Sequence, residues 1–346
     1  MEHIYALNAH AAFACRHSGA CCTAGWAIPV EANKRTVIPV SWLTPDDSGA
    51  CPEFDRTSHL CRIHRDHGEP QMPESCRHFP RRALIDDRGT FVTLSHFCPT
   101  ASRLLVEART PLAIVSIDSR GKERAYEGLD ARGEWPPLLR PGVLFDYASF
   151  EAWLTFAVGT LGNCTAPVAT LTQVAATAER LRSWHVELGP LSDWTDASVS
   201  RAVADEELRQ AADRFAKMSR FERYERVCET VPAGLNPPRP LSELERTASR
   251  WLDDTWQSNA QPAGRYLAAK TFAAWTPYQS HGLRTQIAEL FAAEAVLFVE
   301  ATRICARRHS PLDQTGWIEA IRASDWLLMH LADRPALMAW LKDSET

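Results

Sequence analysis

Seven of the ten cysteines in this chain fall in one early stretch, at Cys15, Cys21, Cys22, Cys51, Cys61, Cys76 and Cys98. The same stretch holds His17, His59, His64, His67, His78 and His96, while residues 99–346 carry only Cys164, Cys228 and Cys305. A single cysteine is commonly a small buried hydrophobe, but seven so close together need another cause. The candidates are a disulfide framework, a metal site or a redox relay. An odd number leaves a disulfide framework with one thiol over.

The compartment narrows the choice. The opening MEHIYALNAHAAFACRHSG has no basic n-region and no apolar run of signal-peptide length. The most apolar later run, Ala292 to Val299, is interrupted by Glu294 and followed by Glu300, and nothing reaches the roughly 20 apolar residues that a bilayer span requires. The expectation is a cytoplasmic protein with no membrane partner, where clustered cysteines serve metals or catalysis rather than disulfides. A net charge of -5 with 23% charged residues shows no basic bias toward nucleic acid.

Four separate segments deliver the thiols: 15–22, 51–61, 76 and 98. A loop-rich shell gathered round a metal needs this arrangement, whereas a small apolar core does not. Zinc takes four Cys or His ligands in a closed tetrahedron, and an iron–sulfur cluster takes four cysteines, or three when one iron is left open. All seven cysteines are therefore candidate ligands. Gly19 supplies the left-handed backbone that turns nearby thiols toward one point. Residues 51–61 read as a tight hairpin with a cysteine on each arm. Arginine directly follows Cys15, Cys61 and Cys76, and such guanidinium groups are able to offset thiolate charge. The six histidines read as surface or hydrogen-bonding groups.

The expected fold is mainly α in two lobes. Residues 1–110 form an irregular Cys-rich metal-binding lobe with short strands, including two around the turn Asp86-Asp87-Arg88-Gly89. Residues 111–145 read as a linker or peripheral hairpin, with a short strand near Leu112 to Ile117. Residues 146–346 form a larger all-helical lobe, and ten of the twelve tryptophans lie after residue 130. Helical spacing marks a stripe of Phe150, Trp153, Leu154 and Ala157, and another from Leu171 to Trp184. One long helix is expected over 197–229, and Ser242 with Glu245 reads as a capping box. Further helices are expected near 263–276, 283–308, 313–332 and 334–343. Cys164, Cys228 and Cys305 read as structural thiols.

The motifs Cys21-Cys22, Cys51-Pro-Glu-Phe, Cys61-Arg-Ile-His and Cys76-Arg-His-Phe-Pro resemble the bacterial cysteine-cluster family of zinc- or iron-chelating proteins. Cys21-Cys22-Thr-Ala-Gly25-Trp26-Ala-Ile28, Phe79-Pro80-Arg81 and Ser95-His-Phe-Cys98-Pro99 through Leu105 are similar to one branch, the flagellin lysine N-methylases. The likeness covers residues 13–105, with weaker echoes from Arg265-Tyr266-Leu267 to Val299. It implies methyl transfer from S-adenosylmethionine to protein lysines, flagellin among them, and a cysteine-held iron–sulfur cluster of the 4Fe-4S type. Cys22, Cys51, Cys61, Cys76 and Cys98 match its motif positions. Arg16 to Ala20 stand where the family carries a further cysteine between Cys15 and the pair.

The residues by themselves add limits to that picture. No Gly-rich strand-to-helix loop is present for a Rossmann-type cofactor site, and no Cys-x3-Cys-x2-Cys run appears. S-adenosylmethionine is then expected to chelate an open iron through its amino and carboxylate groups. Zinc in place of the cluster, a non-enzymatic metal-binding protein and a zinc-stabilised interaction module stay open.

Overall fold

The structure, a computed structural model, describes residues 3–117, 128–133, 136–279 and 281–343. It is mainly α, as the sequence periodicity requires.

A five-stranded sheet stands at the N-terminal side. Its strands are β1 (Ile4–Leu7), β2 (Arg81–Asp86), β3 (Gly89–Leu94), β4 (Ile114–Ile117) and β5 (Gly128–Asp130), in the order β4-β1-β3-β2-β5. The β2–β3 hairpin is antiparallel with Leu84 opposite Phe91, and it turns at Asp86-Asp87-Arg88-Gly89 as read from the sequence. β1 runs parallel to β3, with Tyr5 opposite Phe91. The excursion that carries Cys15 to Cys76 leaves the sheet after β1 and re-enters it at β2, and Cys98 follows β3.

The reading of 111–145 as a linker or peripheral hairpin meets a mixed outcome. Two of its pieces, β4 and β5, form the two edges of the sheet. A small hairpin pairs Leu138–Arg140 with Val143–Leu144. Residues 118–127 and 134–135 lie outside the described residues.

Helix α1 (Pro99–Val106) begins with proline at its first position, where the missing N–H is no loss. The helical body then runs α2 (Tyr147–Gly162), α3 (Pro167–Arg182), α4 (Leu191–Ser200), α5 (Asp205–Phe215), α6 (Arg220–Glu229), α7 (Arg250–Ser258), α8 (Gln261–Thr271), α9 (Leu283–Arg308), α10 (Gln314–Trp326) and α11 (Arg334–Asp343). The Ser242–Glu245 box caps a short helix at Glu243–Arg246. The expected single helix over 197–229 is three helices. Arg201 turns extended after α4, and Ser219 and Glu222 form a capping box that starts α6 afresh.

Helix α9 is the hub. It is buried round nearly its whole circumference, as an apolar helix must be. Its two interior carboxylates are paired: Glu294 Oε1 accepts from Arg220 Nε and Trp256 Nε1, each at 2.8 Å, and Glu300 Oε1 accepts from Tyr224 OH at 2.7 Å. Packing of this kind is what lets a charge sit inside.

The sheet and the helices share one hydrophobic core. Leu7, Leu84, Phe91 and Leu105 belong to the same cluster as Trp153, Tyr266 and Phe291. Hydrogen bonds reinforce that seam, from Arg265 Nη1 to Leu105 O at 3.0 Å and from Trp275 Nε1 to Ala83 O at 3.1 Å. The cysteine excursion has only a small cluster of its own, Val30, Ile38, Leu43 and Ile63. Where the sequence suggests two lobes, the structure has one core with an appended, thinly packed loop region.

Candidate functional site

The thiols are positioned by short local devices. Gly19 takes φ +71° and its carbonyl accepts from the Cys22 amide at 3.0 Å. A side chain at Gly19 would strike the Phe54 ring, since an added Cβ would stand 2.7 Å from it. The Cys51 amide donates to Cys22 O at 2.7 Å, which ties the second cysteine segment to the first. Phe54–Asp55 pairs with Leu60–Cys61, so the expected hairpin forms with Cys61 on one arm, while Cys51 lies ahead of the other. Cys76 lies on a helical turn at Glu74–His78.

Cys21, Cys22, Cys51, Cys61 and Cys76 line one cleft of about 400 Å³. Cys98 is buried at the start of α1 and Cys15 is exposed; neither lines the cleft. Cys15 Sγ accepts from the His17 amide at 3.4 Å. Among the described residues, no group of three or more His, Cys, Asp or Glu side chains closes on a single ion position.

The donor chemistry fits a soft metal nonetheless. The cleft wall carries five thiols and one carboxylate, Glu53. Cys21 and Cys22 stand 3.9 Å apart, Sγ to Sγ. Their shared hydrogen bond makes Cys21 the easier of the two to ionise and pushes Cys22 far up. Burial first, and neighbouring thiolates after it, push Cys51, Cys61 and Cys76 up as well. Thiols that oppose one another's ionisation are relieved by a cation among them.

Two of the arginines that follow cysteines pair with carboxylates. Arg77 Nη1 grips both oxygens of Glu74, at 2.8 and 2.9 Å, and Arg62 pairs with Glu53 at 3.3 Å. Each guanidinium following Cys61 and Cys76 thus meets a carboxylate. Arg322 on α10 lies close enough to Cys98 to feel its charge. Burial lowers its pKa, and the charge of Cys98 pulls it back up. Its Nε donates to Phe97 O at 2.9 Å.

An aromatic cluster joins the cysteine region to the helices. Trp26 lies 4.8 Å from the His330 ring, 5.6 Å from Trp326 and 5.7 Å from Phe79, centroid to centroid. Beside it runs a buried polar network that sequence reading missed. Asp325 accepts from Lys270 Nζ at 2.6 Å, Ser95 Oγ at 3.1 Å, Tyr266 OH at 3.3 Å and the His96 amide at 2.6 Å. Burial would push this carboxyl up, but Lys270 and the nearby histidines hold it below the usual carboxylate range. His330 Nε2 meets Ser95 Oγ at 2.9 Å, and His96 Nε2 meets His10 Nε2 at 3.1 Å. His96 and His330 are pushed down to about 4, in each case chiefly by burial. The only sequence hint was His96 two residues before Cys98.

No helix among the described residues is long and apolar enough to cross a membrane. Comparison with family models, curated proteins and solved structures finds no match to this chain.

Proposed function

We propose that this chain is an iron–sulfur protein that transfers methyl groups from S-adenosylmethionine to lysine side chains of a protein substrate. The observation that carries this reading is the convergence of Cys21, Cys22, Cys51, Cys61 and Cys76 on one cleft, next to the buried Lys270–Asp325 pair. When bound, the cluster would supply iron coordination and S-adenosylmethionine the methyl group. The chain's own part is to gather thiolates from separate segments and to wall the cleft with Trp26, Phe79 and Met329 against water. Exclusion of water protects a reactive sulfonium and strengthens each charge contact inside. Methylation of flagellin or another protein, and the family itself, rest on the likeness of residues 13–105.

A second reading is favoured by one observation. The cysteine region's own hydrophobic cluster holds only four buried side chains, and so small a cluster commonly needs a metal staple. In that case zinc or iron would serve folding or partner binding, with no catalysis. Anaerobic purification with iron, sulfide and zinc analysis separates the two, followed by titration with S-adenosylmethionine. Iron and sulfide with a spectrum perturbed by the cofactor support the methylase. Stoichiometric zinc without iron would sink the cluster, and a spectrum indifferent to the cofactor would remove methyl transfer.

A further inference from the structure

A second, smaller pocket of about 190 Å³ opens beside the cysteine cleft, and the two share Arg82, Ser95, Trp275 and Met329 in their walls. Its apolar side is made by Leu94, Phe272 and Leu328, and its polar side by Thr93, His96, Lys270, Glu289, Asp325 and Arg334. Lys270 and Arg334 face the two carboxylates there, Asp325 and Glu289, and Arg82 lies at the rim shared with the cleft.

The carboxylates are fully engaged. Asp325 accepts four hydrogen bonds. Glu289 accepts from Thr276 Oγ1 at 2.6 Å and from both terminal nitrogens of Arg334. Lys270 is less fully engaged. Among the described residues the Lys270 ammonium, with three N–H groups, has Asp325 as its one hydrogen-bond acceptor. Two polar atoms of the lining, His96 Nδ1 and Thr93 Oγ1, are buried with no hydrogen-bond partner among the described residues, and His96 is 1% exposed. Orphaned polar atoms inside a protein are rare and destabilising, and a polar ligand would satisfy them.

We propose that this pocket takes the carboxylate end of a small ligand on a short apolar arm, with Lys270 as the charged anchor. Under the methyl-transfer reading, on which this extension rests, the ligand is the methionyl end of S-adenosylmethionine. Ser95 and Met329 border both cavities, so the far end of such a ligand would lie on the side of the cysteine cleft. This assignment differs from chelation of the amino acid end by iron. It requires that metal-depleted protein still bind the carboxylate.

Calorimetric titration of the full chain, with and without metal, tests it. The probes are S-adenosylhomocysteine, methylthioadenosine (which lacks the amino acid end), methionine and methioninamide. The expected result is that S-adenosylhomocysteine and methionine bind with or without metal, while methioninamide does not. Lys270→Gln should weaken both carboxylates by about tenfold or more, the scale of a lost charged hydrogen bond, and leave methylthioadenosine unchanged. Thr93→Val keeps the β-branched strand geometry and serves if Lys270→Gln does not fold. It should weaken the same two probes by about threefold. Carboxylate ligands that bind no better than their neutral counterparts, or that ignore the substitutions made, overturn the pocket. If methionine alone binds in this way and neither nucleoside does, the pocket stands and the methyl-donor reading falls. If S-adenosylhomocysteine binds only with metal present, the donor reading stands and the pocket falls.

Discussion

Lys270 on α8 and Asp325 on α10 meet at 2.6 Å in the interior, and the second oxygen of Asp325 receives the His96 amide at 2.6 Å. One carboxylate therefore ties two core helices to the backbone just ahead of Cys98. Removing it leaves a buried ammonium and a buried amide without their acceptor. Asp325→Ala should cost about 3–5 kcal/mol, as broken buried pairs do. Urea denaturation followed by circular dichroism checks this, and a midpoint within error of the parent would refute it.

His96 and His330 are pushed down to about 4 in the folded chain, against about 6.5 when unfolded. Between these values the unfolded chain binds protons that the native state refuses. Stability should thus fall as pH drops from 6.5 toward 4, by something on the order of 3 kcal/mol per histidine. Asp325, held low, keeps its contribution until pH falls below the ordinary carboxylate range. Denaturation midpoints across this range should decline for the parent, and the decline should be shallower in His330→Gln. Parallel curves would exclude His330 as a source.

Five cysteines line the cleft, while Cys15 is exposed and lies outside it. Under the proposed metal-binding function, Cys61→Ser and Cys76→Ser should each lower bound metal to less than about half of the parent value, since each removes a thiol from the cleft wall. Cys15→Ser should hold its metal. Metal analysis after anaerobic purification reads the difference. Equal loss in all three would place Cys15 among the ligands.

Gly264 on α8 touches α2 so closely that an added Cβ would stand 2.5 Å from Leu161 O and 2.5 Å from Cys164 Sγ. Backbone cannot yield as a flexible side chain can. Gly264→Ala should destabilise by about 1–3 kcal/mol through overpacking, read as a lower thermal midpoint. No change would mean that the two helices slide apart freely.

Trp26 is half-buried and contacts Phe79, Phe97, Trp326 and His330. Trp26→Ala should free the cysteine region from the helices without unfolding them. Limited proteolysis should then cut within residues 12–80 faster than in the parent, while far-ultraviolet dichroism keeps its helical shape. Loss of the helical signal instead would show that this region supports the core.

The features legible in the sequence were the local ones. The turn at Asp86 to Gly89, the Ser242–Glu245 box and the Cys51–Cys61 hairpin each lie within about a dozen neighbours. The matching Ser219–Glu222 box was present too, but the run of helix formers around it suggested one helix where two meet. The convergence of Cys21, Cys51, Cys61 and Cys76 was readable as crowding. Its location was not, because the cleft wall is completed by Trp275 and Met329 from distant segments. The Lys270–Asp325 and His10–His96 pairs were invisible for the same reason. Each joins residues separated by 55 and 86 positions, and no local spacing encodes such a meeting.

The cysteine excursion departs from β1 and returns at β2, and those strands flank β3 in the same sheet. With neighbouring strands about 4.8 Å apart, its two ends are stapled roughly 10 Å from each other by the core. Closing that ring is the sheet's task. Thiols far apart in sequence are thereby held at high mutual concentration in an otherwise finished protein. The sheet, rather than any bond among the thiols, sets how far the two ends of the loop stand apart.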